Sequence, residues 1–438
     1  MLNNLLSFFI AVLLARYLGK VSFGQIAFAI SFTSLFLVFT DLGLSPITTR
    51  NIARQNNLVS KYLGNILIIK AIICFFTYFL IITLIEVMDY PSDVKLIVYL
   101  FGGYIIFQSY GVFFHAISAA FERMEIEALL TSLLRLLILV GVSLVVSFKL
   151  GVIDVAKVHV VSALIYASIG FLLITKLFAK PEYEISWKIW NKLIKEGFPF
   201  AVSSIFLIIS TQIDVVMLSI MENDAAVGTY SAALRLVSGL LFIPSSFAKA
   251  LYPIFSRLWP SSIESFVKYY HKSFQILMMT AIPVAIGGML LSEKIIIAVY
   301  GNEYLAAVSI FQILVWSLAI QFVSTLLGII MPAINRQTTS TKIFFWGMLL
   351  NIIMNFFLIP RFSGVGAALA TLLTNCFYFT TFFIIISKEI FPLSLLNVCL
   401  KPLISGVLLG IVIFLFKDLN LVLLVCTGAV LYGFAYSA

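Results

Sequence analysis

The stretch YLGNILIIKAIICFFTYFLIITLIE, which occupies residues 62–86, decides the class of fold. It is 25 residues long, and Lys70 is its only charged side chain before the closing Glu86. A helix needs about 20 predominantly apolar residues to cross the hydrocarbon core of a bilayer. We therefore predict that this stretch spans a membrane.

The composition of the whole chain agrees with that prediction. Of its 438 residues, 62% are hydrophobic and 11% are charged, whereas a soluble domain is roughly half apolar and about a quarter charged. A compact soluble surface needs more polar cover than this chain contains. The composition excludes a soluble enzyme, a nucleic-acid-binding protein and a disordered chain, and it predicts an all-α polytopic membrane protein.

Apolar runs bounded by glycine, proline or charged residues predict about 14 transmembrane helices. The first and the last of them are expected to be clipped at the chain ends. Their approximate bounds are 1–18, 25–48, 62–86, 95–120, 128–148, 154–178, 198–220, 227–252, 272–291, 305–331, 341–359, 365–386, 396–416 and 420–438.

The distribution of basic residues predicts the orientation of the chain. Loops after even-numbered spans carry 16 lysines and arginines, and loops after odd-numbered spans carry 8. Short cytoplasmic loops of membrane proteins collect Lys and Arg. The even-side loops and both termini are therefore predicted to be cytoplasmic, in a multi-pass protein of the cytoplasmic (inner) membrane.

A polar stretch divides the chain into two halves. Residues 179–197 contain Pro181, two tryptophans and several lysines, which is typical of an amphipathic linker at a membrane interface. Segment 23–54 resembles segment 227–258 at an offset of 204, which predicts two six-helix repeats, a common plan among transporters. The predicted organisation is an N-terminal six-helix lobe at 1–178, a cytoplasmic linker at 179–197, a C-terminal six-helix lobe at 198–387 and two additional transmembrane helices at 388–438.

Four basic residues, Lys70, Arg135, Arg235 and Lys249, lie well inside apolar spans. A charged side chain at that depth costs at least about 2.5 kcal/mol, so it normally faces a partner or a hydrated cavity. Together with Arg16 at a span end, Lys70, Arg235 and Lys249 predict a cationic cavity for an anionic substrate. Arginine offers a planar bidentate donor and lysine a compact point charge, and both suit a phosphate. Helical spacing puts Arg235 and Lys249 on one face of span eight, about 21 Å apart.

Other polar side chains follow single faces of several spans. Helical spacing places Asp41 on one face with Ser31, Ser34 and Ser45 of span two. The candidates for cavity lining or ion coupling are Gln108, His115 and Glu122 of span four, Asp41 of span two, Asp214 of span seven, and Asn351 and Asn355 of span eleven.

Each of these residues also has a plainer interpretation. A polar side chain within a membrane often stabilises packing through a hydrogen bond to a neighbouring helix, and the two aspartates would then only neutralise nearby basic side chains. Proton and sodium both stay open as a coupling ion. No cofactor or metal is expected, because the four cysteines form neither a CxxC pair nor a Cys/His cluster.

Ten short motifs run in order along nearly the whole chain. They are Leu14–Gly19, Phe23–Gly24, Asp41–Leu44, Gly197–Phe200, Ile213–Leu218, Val227–Ala233, Leu251–Pro253, Val299–Gly301, Ala333–Gln337 and Gly364–Ala368. Together they resemble the polysaccharide (O-antigen type) flippase family of the multidrug/oligosaccharidyl-lipid/polysaccharide exporter superfamily.

The resemblance implies two six-helix lobes that form a V-shaped cavity, with two further helices. It implies a flippase, and not an enzyme, that moves a polyprenyl-(di)phosphate-linked oligosaccharide by alternating access, with Arg16 and Arg235 serving the anionic headgroup. The implied partners are the lipid-linked glycan, membrane lipids, and the glycan polymerase and glycosyltransferases of the same pathway. No nucleic acid is among them.

Two rival functions stay open at this point. A cation-coupled multidrug exporter of the same superfamily would favour an acidic cavity, and the excess of basic residues argues against it. A membrane-embedded polysaccharide polymerase or glycosyltransferase would need a long outer loop with acid and base residues, and the sequence predicts no such loop.

Overall fold

The computed structural model describes residues 2–389 and 395–416, together with scattered residues between 420 and 432. Within these residues the chain forms helices and turns, and no strand is found among them. The α-helices are α1 (Leu2–Leu35), α2 (Leu44–Arg54), α3 (Val59–Val87), α4 (Ser92–Ala120), α5 (Met124–Ser147), α6 (Val152–Leu177), α7 (Trp187–Met221), α8 (Asp224–Leu240), α9 (Phe242–Ser261), α10 (Ile263–Leu290), α11 (Ser292–Tyr300), α12 (Ala307–Ala333), α13 (Gln337–Glu389) and α14 (Leu395–Leu415).

The predicted spans correspond to these helices. In the described part of the chain, 10 helical segments are long and apolar enough to cross a membrane. α1 holds span one and the first part of span two, with a bend at Gly19 (φ 70°), and α13 holds spans eleven and twelve, with a bend at Ser363 (φ 51°). Predicted span thirteen coincides with α14, and span fourteen, at 420–438, lies largely outside the described residues. The all-α polytopic fold is confirmed.

The second predicted span is interrupted. After α1 ends at Leu35, residues 36–43 form tight turns before α2 begins. Leu42 and Gly43 have positive φ angles of 47° and 73°, which lie outside the right-handed helical region. Glycine adopts such angles without steric cost, so Gly43 lets the chain leave one helix and start the next.

This interruption overturns one predicted polar face. Helical spacing does not hold across residues 36–43, so Asp41 does not continue the face of Ser31 and Ser34. Asp41 lies in the break itself, and Ser45 belongs to the helix that follows it.

The eighth predicted span is interrupted as well. α8 and α9 are separated at Leu241, because Pro244 has no N–H to donate to the carbonyl of Leu240. Arg235 therefore lies on α8 and Lys249 on α9, and their shared face, which assumes one regular helix, stays a prediction. Both breaks fall inside the two segments that resemble each other at an offset of 204.

Contacts divide the chain into two compact units, Met1–Val216 and Met217–Ala438. The division falls inside α7, so most of this helix packs with the first unit. The predicted lobe bounds follow the sequence repeat rather than the packing, and they stay a prediction.

Each unit has its own packed interior. In the second unit α12 packs against α10 and α13, and Leu318, Phe322 and Leu326 of α12 have no exposed surface. In the first unit, apolar side chains of α2, α3, α4, α6 and α7 form one cluster, which we call the first-unit core. Its members include Leu44, Ile47, Ile52, Leu63, Ile66, Phe113, Phe114, Ile117, Ile174 and Leu193.

A missing side chain at Gly111 lets α4 and α6 pack closely. A Cβ atom at this position would lie 1.9 Å from Cε1 of Tyr166 and 2.3 Å from its hydroxyl oxygen. The Tyr166 ring is buried, and its hydroxyl lies 2.9 Å from Nε2 of His115. Gly111 therefore provides the space that brings Tyr166 to His115.

We expect Gly111→Ala to lower the thermal stability of the purified protein, because overpacking in a close-packed interior costs roughly 1–3 kcal/mol. Gly103→Ala on the same helix is the matched control, since its Cβ would find its nearest neighbour 3.9 Å away. Unfolding midpoints in detergent measure both variants. Equal midpoints for the two would contradict the proposed role of Gly111.

Candidate functional site

A buried lysine lies beneath the break in the second span. The side chain of Lys70, on α3, has no exposed surface. Its ammonium donates to the carbonyl oxygen of Thr40 (2.9 Å), to Oδ1 of Asp41 (3.0 Å) and to Oγ of Ser109 (2.7 Å). A lysine ammonium carries three protons, and these three bonds use all of them. We call Thr40, Asp41, Ser45, Lys70 and Ser109 the Lys70 network.

Asp41 has two roles in this network. Besides accepting a bond from Lys70, its carboxylate accepts bonds from the backbone N–H of Ser45 (3.1 Å) and from the Ser45 hydroxyl (2.6 Å). A carboxylate at a helix N-terminus satisfies free N–H groups and interacts favourably with the helix dipole. Asp41 thus caps α2 while it neutralises Lys70.

The Thr40 carbonyl explains why these side chains converge. Because the chain leaves the helix here, this oxygen has no partner within a regular helix, and it accepts bonds from Lys70 and from the Ser109 hydroxyl (3.0 Å). An unsatisfied backbone group in a bilayer costs several kcal/mol. The break and the buried lysine therefore depend on each other. Asp41 neutralises Lys70, and its role in ion coupling stays a prediction. Contact of Lys70 with substrate stays a prediction.

We expect Asp41→Asn to destabilise the protein by about 3–5 kcal/mol, because it leaves the buried ammonium without a counter-charge. The double variant Asp41→Asn with Lys70→Met removes both charges and is expected to recover most of that loss. Denaturation of the purified variants in mixed micelles measures the difference.

The matched control for this cycle is Glu86→Gln, which breaks the more exposed ion pair of Glu86 with Lys95 (2.7 Å). Exposed pairs contribute about 0–1 kcal/mol, so this variant is expected to stay close to the unmodified protein. Lys70→Met alone completes the cycle. If the double variant loses as much stability as Asp41→Asn and Lys70→Met together, Asp41 and Lys70 are not coupled.

The other three predicted cationic residues are exposed. Arg16 lies on α1, Arg235 on α8 and Lys249 on α9. Ala233 and Val237, two positions before and two after Arg235, are buried. After Asp224, Arg235 is the only charged residue of α8, and a charge within a membrane normally faces a partner or a hydrated cavity.

Only some of the residues predicted to form the polar face of span four lie on a helix. His115 and Gln108 are half-buried on α4, and His115 contacts Tyr166 of α6. Glu122 lies beyond the end of α4 at Ala120, is exposed and has a positive φ of 58°. The prediction that Glu122 continues this face is wrong, because the helix ends before it.

The remaining predicted residues are buried. Asp214, on α7, is 5% exposed. Asn351 and Asn355 lie one turn apart on α13, and Nδ2 of Asn355 donates to Oδ1 of Asn351 at 3.1 Å. The sequence predicted this proximity from their spacing of four residues.

Three residues of importance were not singled out in the sequence. Thr40 contributes a backbone carbonyl, which no side-chain pattern reveals. Ser109 is one of many serines in spans. Asn65, which is fully buried on α3, bonds to the segment before α7, and its depth within an apolar run was the available signal.

Comparison with known families and proteins agrees with this architecture. The model of the family described as polysaccharide biosynthesis protein matches residues 1–259, and the MatE model matches residues 199–357. The chain is 26% identical over 404 residues to an uncharacterized membrane protein of Methanocaldococcus jannaschii, covering 84% of this chain and 79% of that protein.

Two further likenesses concern named transporters. The chain is 27% identical over 255 residues to the probable low-salt glycan biosynthesis flippase Agl15 of Haloferax volcanii, and this match spans about half of each protein, 52% of this chain and 53% of Agl15. The solved structure of the lipid II flippase MurJ in an inward closed conformation superposes with a TM-score of 0.81 at 18% identity, over 99% of this chain and 96% of MurJ.

The first family model covers more than half of the chain, and the MurJ likeness shows that the fold is shared. The protein therefore belongs to the polysaccharide biosynthesis protein family, among the flippases of the multidrug/oligosaccharidyl-lipid/polysaccharide exporter superfamily, and it is a membrane transporter rather than an enzyme.

Proposed function

We propose that this protein flips a polyprenyl-(di)phosphate-linked oligosaccharide across the cytoplasmic membrane by alternating access. The family membership and the names of Agl15 and MurJ, a glycan biosynthesis flippase and a lipid II flippase, support a lipid-linked glycan as the substrate. The structural observation that carries the proposal is Arg235, an exposed side chain and the only charged residue of α8 after Asp224.

An exposed arginine at membrane depth is suited to a phosphate. The guanidinium stays charged and donates two parallel hydrogen bonds to phosphate oxygens. Arg16 and Lys249, exposed on α1 and α9, would add further positive charge. A fixed positive charge lowers the cost of bringing the anionic headgroup into the membrane, while the lipid tail remains in the bilayer.

No covalent step is needed for this function. A transporter moves its substrate when the substrate interacts differently with two conformations of the protein. Polar residues such as Gln108 and His115 would contact the sugar hydroxyls, and the glycosyltransferases and polymerase of the pathway would supply and consume the substrate.

We expect Arg235→Ala and Arg16→Ala each to reduce glycan export about 10- to 100-fold, since a hydrogen bond to a charged group contributes roughly 1.5–3 kcal/mol. Complementation of a strain that lacks its flippase measures export, and immunoblotting of membranes measures protein level. Arg123→Ala is the matched control, because Arg123 is an exposed arginine that pairs with Glu125 in the turn before α5.

Full export by both Arg16→Ala and Arg235→Ala, at the normal membrane level, would refute the cationic site. A deletion strain that exports glycan normally but becomes sensitive to cationic drugs would favour the second candidate. That candidate is a cation-coupled multidrug exporter, and the MatE match at 199–357 is the observation in its favour.

We also propose that both termini and the segment at 179–197 face the cytoplasm. In a variant without its native cysteines, Lys188→Cys is expected to react with a membrane-impermeant maleimide only after the cells are opened. Lys157→Cys, at the start of α6, is expected to react in intact cells. The reverse labelling pattern would overturn this orientation.

A further inference from the structure

A single buried side chain ties the segment between the two repeats to the first unit. Asn65 on α3 has no exposed surface. Its Nδ2 donates to the carbonyls of Lys61 (2.9 Å) and Glu184 (3.0 Å). Its Oδ1 accepts from the backbone N–H of Ser186 (3.1 Å) and from Nε1 of Trp190 (2.8 Å). An asparagine amide has two donors and one acceptor oxygen with two lone pairs, so the side chain makes its full set of four bonds.

The backbone reinforces this attachment. The N–H of Glu182 donates to the carbonyl of Ser60 at 3.1 Å. A Cβ at Gly64 would lie 1.9 Å from the carbonyl oxygen of Glu182, so only a glycine allows the two chains to approach this closely. We call Ser60, Lys61, Gly64, Asn65 and the segment 182–190 the linker latch.

Side chains on the following helix are also part of the first unit. Leu193 is fully buried in the first-unit core, and Ile189 and Trp190 pack against the same core. Glu196 forms an ion pair with Arg50 of α2. The stretch from 182 to 196 is therefore held by hydrogen bonds, apolar packing and an ion pair.

Gly197, which follows the latch along α7, lies against the break in the second span. A Cβ at Gly43 would lie 2.2 Å from the carbonyl oxygen of Gly197, and a Cβ at Gly197 would lie 2.6 Å from the carbonyl oxygen of Leu42. Two glycines thus bring the turn after Asp41 against the backbone of α7.

We propose that Asn65 is a positioning residue that keeps the linker, and with it α7 up to residue 216, fixed to the first unit throughout the transport cycle. The polar segment between the repeats then is not the hinge. The bend of the chain instead lies after the latch, where the second unit begins at Met217. This inference rests on the proposed alternating access, but the latch itself can be measured without transport.

Proteolysis tests the latch directly. A glutamyl endopeptidase cuts after Glu182 and Glu184, which are exposed but held by the latch. We expect Asn65→Ala to increase the cleavage rate of the full chain in detergent about tenfold or more, because it removes the three hydrogen bonds from Asn65 to the segment 182–190. Trp190→Phe removes the Nε1 donor but keeps an aromatic ring against the core, and it is expected to give a smaller increase. This second variant keeps the test informative if Asn65→Ala folds poorly.

Asn51→Ala is the matched control for proteolysis. Asn51 lies in the same unit and donates to the hydroxyl of Tyr62 at 3.2 Å, with no bond to the linker. Unchanged cleavage in both Asn65→Ala and Trp190→Phe would overturn the latch.

A reversible cross-link tests whether the latch stays closed. Lys61 and Glu184 face each other across it, with Nζ 3.7 Å from a carboxylate oxygen. In a cysteine-free background, Lys61→Cys and Glu184→Cys are joined by a short bis-methanethiosulfonate reagent. We expect the cross-linked protein in vesicles to flip a fluorescent polyprenyl-diphosphate oligosaccharide at the rate of the reduced protein. Lys188→Cys with Lys192→Cys, one turn apart on α7, is the control for the reagent.

A second arm separates positioning from folding. If Asn65 acts by holding the linker, the same cross-link is expected to restore flipping to the Asn65→Ala variant, which a folding defect would not allow. Loss of flipping on cross-linking, with recovery on reduction, would show that the latch opens and would overturn the proposal. If the reduced protein does not flip the probe at all, the proposed function fails, and the proteolysis result still decides the latch.

Discussion

A backbone carbonyl that leaves a helix inside a membrane must find another donor, and the first unit is built around this constraint. The carbonyl of Thr40 is freed by the turns at 36–43 and accepts bonds from Lys70 and Ser109. The lysine brings a charge that needs Asp41, and Asp41 in turn caps α2. Lys70 satisfies the carbonyl of Thr40, and Asp41 satisfies Lys70. Without these contacts each group would lack a partner in hydrocarbon.

The same break sets the position of α7. Gly43 has a positive φ, and it packs against Gly197 with no room for a side chain on either residue. A backbone contact of this kind fixes the distance between two elements more narrowly than flexible side chains do. The start of the second sequence repeat is thereby attached to the first unit, and the boundary of the packing lies later in the chain than the boundary of the repeat.

Some features were predictable from the sequence and others were not, for physical reasons. Apolar length is a direct consequence of bilayer thickness, so the spans were located well, including the pair that α13 joins across Ser363. Helical faces were less predictable, because they assume an uninterrupted helix. Asp41 and Glu122 lie in a break and beyond a helix end, and neither position follows from spacing alone. A serine such as Ser109 gains importance only from the carbonyl of Thr40, which lies in the turns between α1 and α2.

Charged residues at depth also separate into two kinds. Lys70 is enclosed by oxygen atoms of its own unit, whereas Arg235 is exposed on a helix of mostly buried neighbours. A saturated buried ammonium has no proton left for a ligand unless an internal bond is broken, which is costly in a low-dielectric interior. Arg235 and Arg16 lie at exposed surface, where a phosphate can reach the guanidinium group without entering the packed interior. Among the predicted cations, Arg235 and Arg16 are thus better suited to a substrate that must bind and leave in every cycle, and Lys70 is better suited to keeping the broken span in one shape.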